Sequence, residues 1–165
     1  MKSNITLIGM PGAGKSTVGI IVAKYLSLDF IDTDVLIQVT RHKSLQHIIN
    51  ESDHLNLRRI EEEEILKLNV ENNVIATGGS AVYSEVAMAH LFNVSTVIFL
   101  KVEFEELEKR IHNFKTRGIA KAKDQTFRDL FNERQMLYNR YAEITIECDH
   151  LDQEEVAEVV AGKVQ

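Results

Sequence analysis

Apolar residues along this chain fall into short dense runs separated by stretches where they recur every three or four positions. Ile5 to Ile8 is one such run; the glycine-rich Gly9 to Gly14 follows, and from Lys15 to Leu26 the apolar positions take helical spacing. The pattern predicts a strand, a loop and a helix in that order. Further strands are predicted at Phe30-Ile31-Asp32, at Asn73 to Ala76 just before the Gly78-Gly79 turn, at Thr96 to Leu100 and at Ile144 to Glu147. Helical spacing marks Phe104 to His112, Asp124 to Tyr138 and a closing segment from Glu154 to Val164. Strands alternating with helices predict a doubly wound α/β domain with a five-stranded parallel sheet. Ligands of such sheets sit beyond the carboxyl ends of the strands, where the Gly9 loop, Asp32 and Gly78 all emerge.

Composition narrows the class without naming a function. The 165 residues suit one domain spanning 1–165, and 44% apolar content with a single proline excludes disordered and collagen-like chains. A net charge of −6 argues against a broad nucleic-acid surface, although cations gathered in one cleft can still bind a small anion. No apolar run approaches the ~20 residues of a membrane span, no charged-then-apolar leader precedes the first strand, and the lone Cys148 has no partner for an internal disulfide; the cytoplasm and a monomeric state are the default expectations. The six histidines show no metal-ligand spacing, and the acidic run Glu61 to Glu64 reads as a solvated helix face.

The chemistry concentrates at Gly9-Met10-Pro11-Gly12-Ala13-Gly14-Lys15-Ser16, which fits G-x-x-x-x-G-K-[ST] in full and lies between a predicted strand and helix. Glycines let the backbone turn its N–H groups around a β-phosphate, and the next helix aims its positive end at the same anion. Lys15 would reach the β- and γ-phosphates of ATP and Ser16 would ligate Mg²⁺; the bland alternative is a glycine-rich turn that only packs helix on strand. No Asn-Lys-x-Asp segment of the GTPase type occurs, and the fourth strand ends Phe99-Leu100-Lys101 without a Walker B carboxylate. Asp32 and Asp34 are the substitute: two residues apart at a strand end, they are expected to face the same side, one holding metal-bound water and the other meeting an acceptor hydroxyl. They can equally be turn residues capping the next helix.

With the P-loop, Asp32/Asp34, Leu57-Arg58-Arg59-Ile60-Glu61, Ala76-Thr77-Gly78-Gly79 and Arg134 in this order, the chain resembles the shikimate kinases over nearly its whole length. That resemblance implies a three-layer P-loop fold like that of nucleoside monophosphate kinases, a substrate-binding helical region around 35–62 and a lid around 112–124. It implies an ATP- and Mg²⁺-dependent phosphotransferase acting on a small anionic hydroxylated substrate, shikimate, with no nucleic-acid or membrane partner. It makes Gly12, Ala13, Gly14, Lys15, Ser16 and Thr17 nucleotide-binding, with Arg110 against adenine; Asp34 the residue that binds and activates the acceptor; and Asp32 a partner of Mg²⁺ through water. Arg58 and Arg134 would fork onto a substrate carboxylate, Gly78 and Gly79 would offer backbone N–H groups to the substrate, and Arg117 would descend with the lid onto the phosphates. Taken singly, the arginines also read as solvated helix cations and the two glycines as a plain turn.

Three positions depart from the family pattern. Ser80 stands where a third glycine is usual, Leu57 replaces a phenylalanine, and Arg117-Gly118-Ile119-Ala120 replaces an Arg-Pro-Leu-type segment, putting a flexible residue for a stiff one. Ser80 adds a Cβ and a hydroxyl able to hinder a ring-shaped acceptor or to bond another polar group. Two other readings therefore stand beside shikimate phosphorylation: the same transfer to another small hydroxy acid or amino acid such as homoserine, and a regulatory nucleotide-binding module without transfer.

Overall fold

The apolar runs pair into one parallel sheet. In the computed structural model, which describes residues 2–112 and 117–165, the strands are β1 (Asn4–Ile8), β2 (Asp29–Asp32), β3 (Asn73–Ala76), β4 (Ser95–Lys101) and β5 (Ile144–Glu147), ordered β2-β3-β1-β4-β5. Every residue of β1 and β3 is buried, as expected of central parallel strands covered on both faces. The register sets Leu7 beside Ala76 and Ile98, and Asp32 beside Ala76. The carboxyl ends of β2, β3 and β1 thus lie side by side.

Among the described residues the helices are α1 (Lys15–Leu26), α2 (Thr33–Arg41), α3 (Leu45–Glu51), α4 (His54–Leu66), α5 (Glu85–Val94), α6 (Phe104–Arg110), α7 (Phe127–Tyr141) and α8 (Gln153–Val164), with a 3₁₀ turn at Ala81–Tyr83. The chain moves one way along the sheet through β1-α1-β2 and the other way through β3-α5-β4. Right-handed crossovers put such helices on opposite faces. Accordingly α1 packs on α8 while α5 and α7 contact β4. Between the layers lies an apolar core centred on Leu7, Ile8, Val74, Ile75, Ile98 and Phe99. A smaller cluster of Ile37, Leu45, Ile48, Leu57, Ile60 and Ala120 joins α2, α3 and α4 to the segment before α7. No helix among the described residues is long and apolar enough to cross a membrane.

The boundaries differ from the sequence expectation where capping decides them. Helix α7 starts at Phe127 rather than Asp124 because Thr126 and Asp129 form a capping box, each side chain accepting the other's N–H. Helix α6 ends at Arg110, two residues early, because Ile111 turns to extended geometry. The acidic run is not a solvated face. Glu61 and Glu64 are 2% and 4% exposed, since the i, i+3 spacing puts both on the inward side of α4 with Leu57, Ile60 and Ile65. Arg41 and Lys67 neutralise Glu64; among the described residues Glu61 has no ion pair of that kind.

Candidate active site

The loop after β1 is shaped by glycine backbone geometry. Gly12 and Gly14 have φ of 85° and 94°, and a Cβ on Gly12 would stand 2.9 Å from Ile111 Cγ1. Gly14 precedes α1 without a side-chain cap, so the first N–H groups of the helix point at whatever anion the loop holds. Lys15 folds back over this loop and donates to the carbonyls of Gly9 (2.7 Å) and Met10 (2.9 Å). Burial lowers its pKa to about 8; Arg134 and Arg117 push the same way, against Asp34 and Asp32.

Asp32 ends β2 and Thr33 already starts α2, so the strand alternation expected to align Asp32 with Asp34 does not operate. Instead Asp32 becomes the N-cap of α2 and Asp34 stands in its first turn. Asp32 Oδ1 caps α2, accepting from the N–H of Asp34 (2.9 Å) and Val35 (3.2 Å), while its Oδ2 accepts from the Ser16 hydroxyl. The capping reading and the metal-side reading therefore fall on the same side chain. Asp34, one residue inside the helix, turns into the cleft, where burial and the charge of Asp32 raise its pKa.

Across from Asp34 lies a second buried carboxylate that sequence reasoning left among the surface residues. A Cβ on Gly78 would press on Glu61 Oε1 and stand 2.6 Å from Asp34 Oδ1, so the two acids face each other over Gly78. Glu61 Oε2 accepts from the Ser80 hydroxyl at 2.5 Å, whereas Oε1 is buried with no hydrogen-bond partner among the described residues. Burial, then the charge of Asp34, pushes the Glu61 pKa up to about 7 despite the Ser80 bond. Gly78 is kept small by these acids, and its N–H donates to Thr33 Oγ1 at 3.0 Å.

Arg134, on α7, is 1% exposed and lies against Gly79, where a Cβ would meet its Nη1 at 2.6 Å. Its Nη2 donates to the Ala120 carbonyl at 2.7 Å. One helical turn on, Tyr138 stacks on Phe99 (centroids 5.1 Å apart) and its hydroxyl donates to Gly79 O at 2.7 Å, which fixes the loop after β3. Arg58 is placed differently. Its guanidinium lies on the Tyr83 ring, 3.5 Å from the centroid, and it lines a side cavity of about 350 Å³ that meets the main cleft at Ser80. The two arginines approach one aromatic ring, Arg134 at 5.5 Å from the centroid, yet only Arg134 opens onto the main cleft.

That cleft, about 650 Å³, is lined by Gly12 to Thr17, Asp34, Glu61, Gly78 to Ser80, Arg110, Arg117 and Arg134. Arg110 is held by Glu106 at 3.0 Å. Of the expected lid, residues 113–116 lie outside the described residues; Arg117 is exposed at the cleft edge. Gly118 is not the flexible substitute expected. It has φ 74°, out of reach of proline, its N–H donates to Gln46 Oε1 at 3.1 Å, and a Cβ would stand 2.5 Å from Leu45 Cβ. The sequence signals that could have found the missed residues are modest: Glu61 lies three positions after Arg58 on the inward face of α4, and Tyr138 four after Arg134 on α7.

The profile of the shikimate kinase family matches residues 11–165. The chain belongs to the shikimate kinase family. The shikimate kinase of Nitrosospira multiformis is 35% identical over 98% of this chain and 84% of its own. The fold is that of a solved shikimate kinase from Acinetobacter baumannii, in complex with shikimate, at TM-score 0.91 and 28% identity, covering 99% of this chain and 93% of that one. Thymidylate kinase from Candida albicans, 14% identical at TM-score 0.63 over 99% of this chain and 91% of its own, shares the fold alone, as expected of an architecture like that of nucleoside monophosphate kinases. As a shikimate kinase family member the chain is an ATP-dependent kinase acting on a hydroxyl group.

Proposed function

We propose that the protein transfers the γ-phosphoryl group of ATP to a hydroxyl of shikimate, giving shikimate 3-phosphate. The observation that carries this reading is the meeting of Lys15, Asp34 and Arg134 in one cleft: a phosphate cation, a carboxylate for the acceptor hydroxyl and a buried guanidinium for the acceptor carboxylate. In the transfer, the γ-phosphorus leaves its bridging oxygen on ADP and bonds to the acceptor oxygen, while the acceptor proton passes to Asp34, whose burial favours holding it. Lys15 gives up its two loop carbonyls for phosphate oxygens. Arg117, at the cleft edge, neutralises charge on the transferred group. Arg134 orients the acceptor carboxylate, with Arg58 reaching the same group from the side cavity.

Ser16 Oγ and the Asp32 carboxylate present hard oxygen donors side by side, next to the phosphate loop, and suit Mg²⁺ held directly by the serine and through water by the aspartate. Bound there, Mg²⁺ offsets charge on the β- and γ-phosphates. The test is acceptor-dependent ADP release from Mg²⁺-ATP with shikimate, homoserine and other hydroxy acids. Turnover with shikimate, reduced at least ~10²-fold by Asp34→Asn, is expected; turnover only with another acid reassigns the pocket, and none with any acceptor overturns the kinase reading.

A further inference from the structure

We infer that Gln46 is a positioning residue for Arg117: by holding the Arg117-Gly118 peptide unit against α3, it sets where the Arg117 guanidinium meets the transferred phosphoryl group. The inference rests on the phosphotransfer function proposed above and deepens it. Its structural basis is the hydrogen bond from the Gly118 N–H to Gln46 Oε1 at 3.1 Å. A peptide unit is planar, so fixing the N–H of Gly118 fixes a plane that ends at the Cα of Arg117. The Gln46 carboxamide is itself oriented, because its Nε2 donates to Asn50 Oδ1 at 2.8 Å, one turn along α3, which leaves Oε1 to face the backbone. Gly118 takes φ 74° to make this approach, and it lies so close to α3 that a Cβ would stand 2.5 Å from Leu45 Cβ.

Two residues on, the Ala120 carbonyl accepts from Arg134 Nη2 at 2.7 Å, and the Ala120 side chain joins the buried cluster of Leu45 and Ile48 from α3. The strip from Gly118 to Ala120 is thus pinned at both ends, and Arg117 is the residue next to the first pin. Arg117 lines the cleft. Burial dominates the pKa shifts of Lys15 and Asp34, and the charge of Arg117 acts on both groups, so this cation stands within electrostatic reach of the phosphate lysine and of the acceptor carboxylate. A long side chain on an untethered backbone spreads over many positions, whereas on a fixed one it is confined to its own rotamers. Stabilisation of developing charge depends on that preorganisation. Gln46 does not line the cleft, so its effect on rate passes through Arg117.

The experiment measures shikimate-dependent ADP release for wild type, Gln46→Ala, Gln46→Glu, Arg117→Ala and the double variant Gln46→Ala/Arg117→Ala, with hydrogen exchange of the Gly118 amide followed in parallel. Gln46→Ala is expected to lower kcat about three- to tenfold, the worth of one such hydrogen bond, with both KM values unchanged and the Gly118 amide exchanging faster. Gln46→Glu keeps an oxygen that accepts the Gly118 N–H and should restore both kcat and protection. In the Arg117→Ala background, where kcat has already fallen, Gln46→Ala should add no further loss, because the two residues act as one unit. If Gln46→Ala fails to fold, Asn50→Ala, which only frees the Gln46 carboxamide, takes its place in the cycle. Wild-type kcat in Gln46→Ala or in Arg117→Ala, or an equal loss from Gln46→Ala in both backgrounds, overturns the inference and leaves the proposed function standing. If wild type turns over only a different hydroxy acid, the shikimate assignment fails and the same cycle with that acid decides Gln46. No turnover with any acceptor overturns the kinase reading and this inference with it.

Discussion

Replacing Gly78 with alanine isolates the geometry of the two acids from the chemistry of either. Gly78 does not take a left-handed conformation, so its backbone accepts an alanine and the whole effect falls on the added methyl group. That methyl would press on Glu61 Oε1, stand 2.6 Å from Asp34 Oδ1 and 3.1 Å from Glu61 Cδ. Ordinary contact begins near 3.4 Å, so both oxygens must withdraw by roughly 1 Å from the positions they hold around Gly78. Glu61 is tethered by Ser80, and Asp34 sits in the first turn of α2. Overpacking of this size costs about 1–3 kcal/mol; an acceptor misplaced by about 1 Å costs on the order of 10² in rate. The expected outcome is kcat for acceptor-dependent ADP release lowered by about two orders of magnitude, a melting temperature lower by a few degrees, and unchanged binding of a fluorescent ATP analogue, because the phosphate loop is untouched. A Gly78→Ala enzyme with wild-type kcat/KM for the acceptor would refute the placement of Asp34 and Glu61 around this residue.

Three further outcomes follow from the same geometry. The lowered pKa of Lys15, about 8 in the free protein, means that ATP must draw a proton onto the lysine above that pH. Calorimetry in buffers of different ionisation enthalpy should show proton uptake on binding and affinity falling as pH rises past about 8, and Lys15→Ala should abolish the uptake and weaken ATP by at least ~10-fold. Glu61 titrates from an ordinary value of 4.5 to about 7 on folding, so the folded protein holds an extra proton between those values and its stability declines as pH rises through that window. Glu61→Gln should remove this decline, gaining up to about 3 kcal/mol at pH 8 in urea unfolding, while raising KM for the acceptor. Gly118→Ala, forced into Leu45 at a φ of 74°, should release the 117–120 segment from α3 and speed its cleavage in limited proteolysis.

The sheet and the phosphate loop were legible in the sequence because both are written locally. The short run Asn73 to Ala76, buried throughout, and the β-branched Ile144 to Ile146 are too short for helices and flanked by turn residues, and Lys15 to Leu26 begins where the glycines end. Asp32 was legible by position but not by cause, since a strand argument stood in for what is a helix cap. Glu61 and Ser80 were hidden for a different reason. Four consecutive glutamates look solvated until the helix phase is known, and a hydrogen bond spanning nineteen positions has no local signature. Gly118 was misread because a glycine's flexibility in the unfolded chain says nothing about whether the folded chain needs its left-handed geometry.

The bond between Arg134 and the Ala120 carbonyl ties two events together. The guanidinium proposed to hold the acceptor carboxylate also anchors the backbone three residues downstream of Arg117, the cation proposed to meet the phosphates. On the proposed roles, any shift of that anchor when an acceptor arrives would change how Arg117 meets the phosphates. Free-energy coupling of this kind is reciprocal, so the factor by which acceptor alters ATP affinity equals the factor by which ATP alters acceptor affinity. On those proposed roles, one buried side chain would thereby make the enzyme's two ligands each other's effectors.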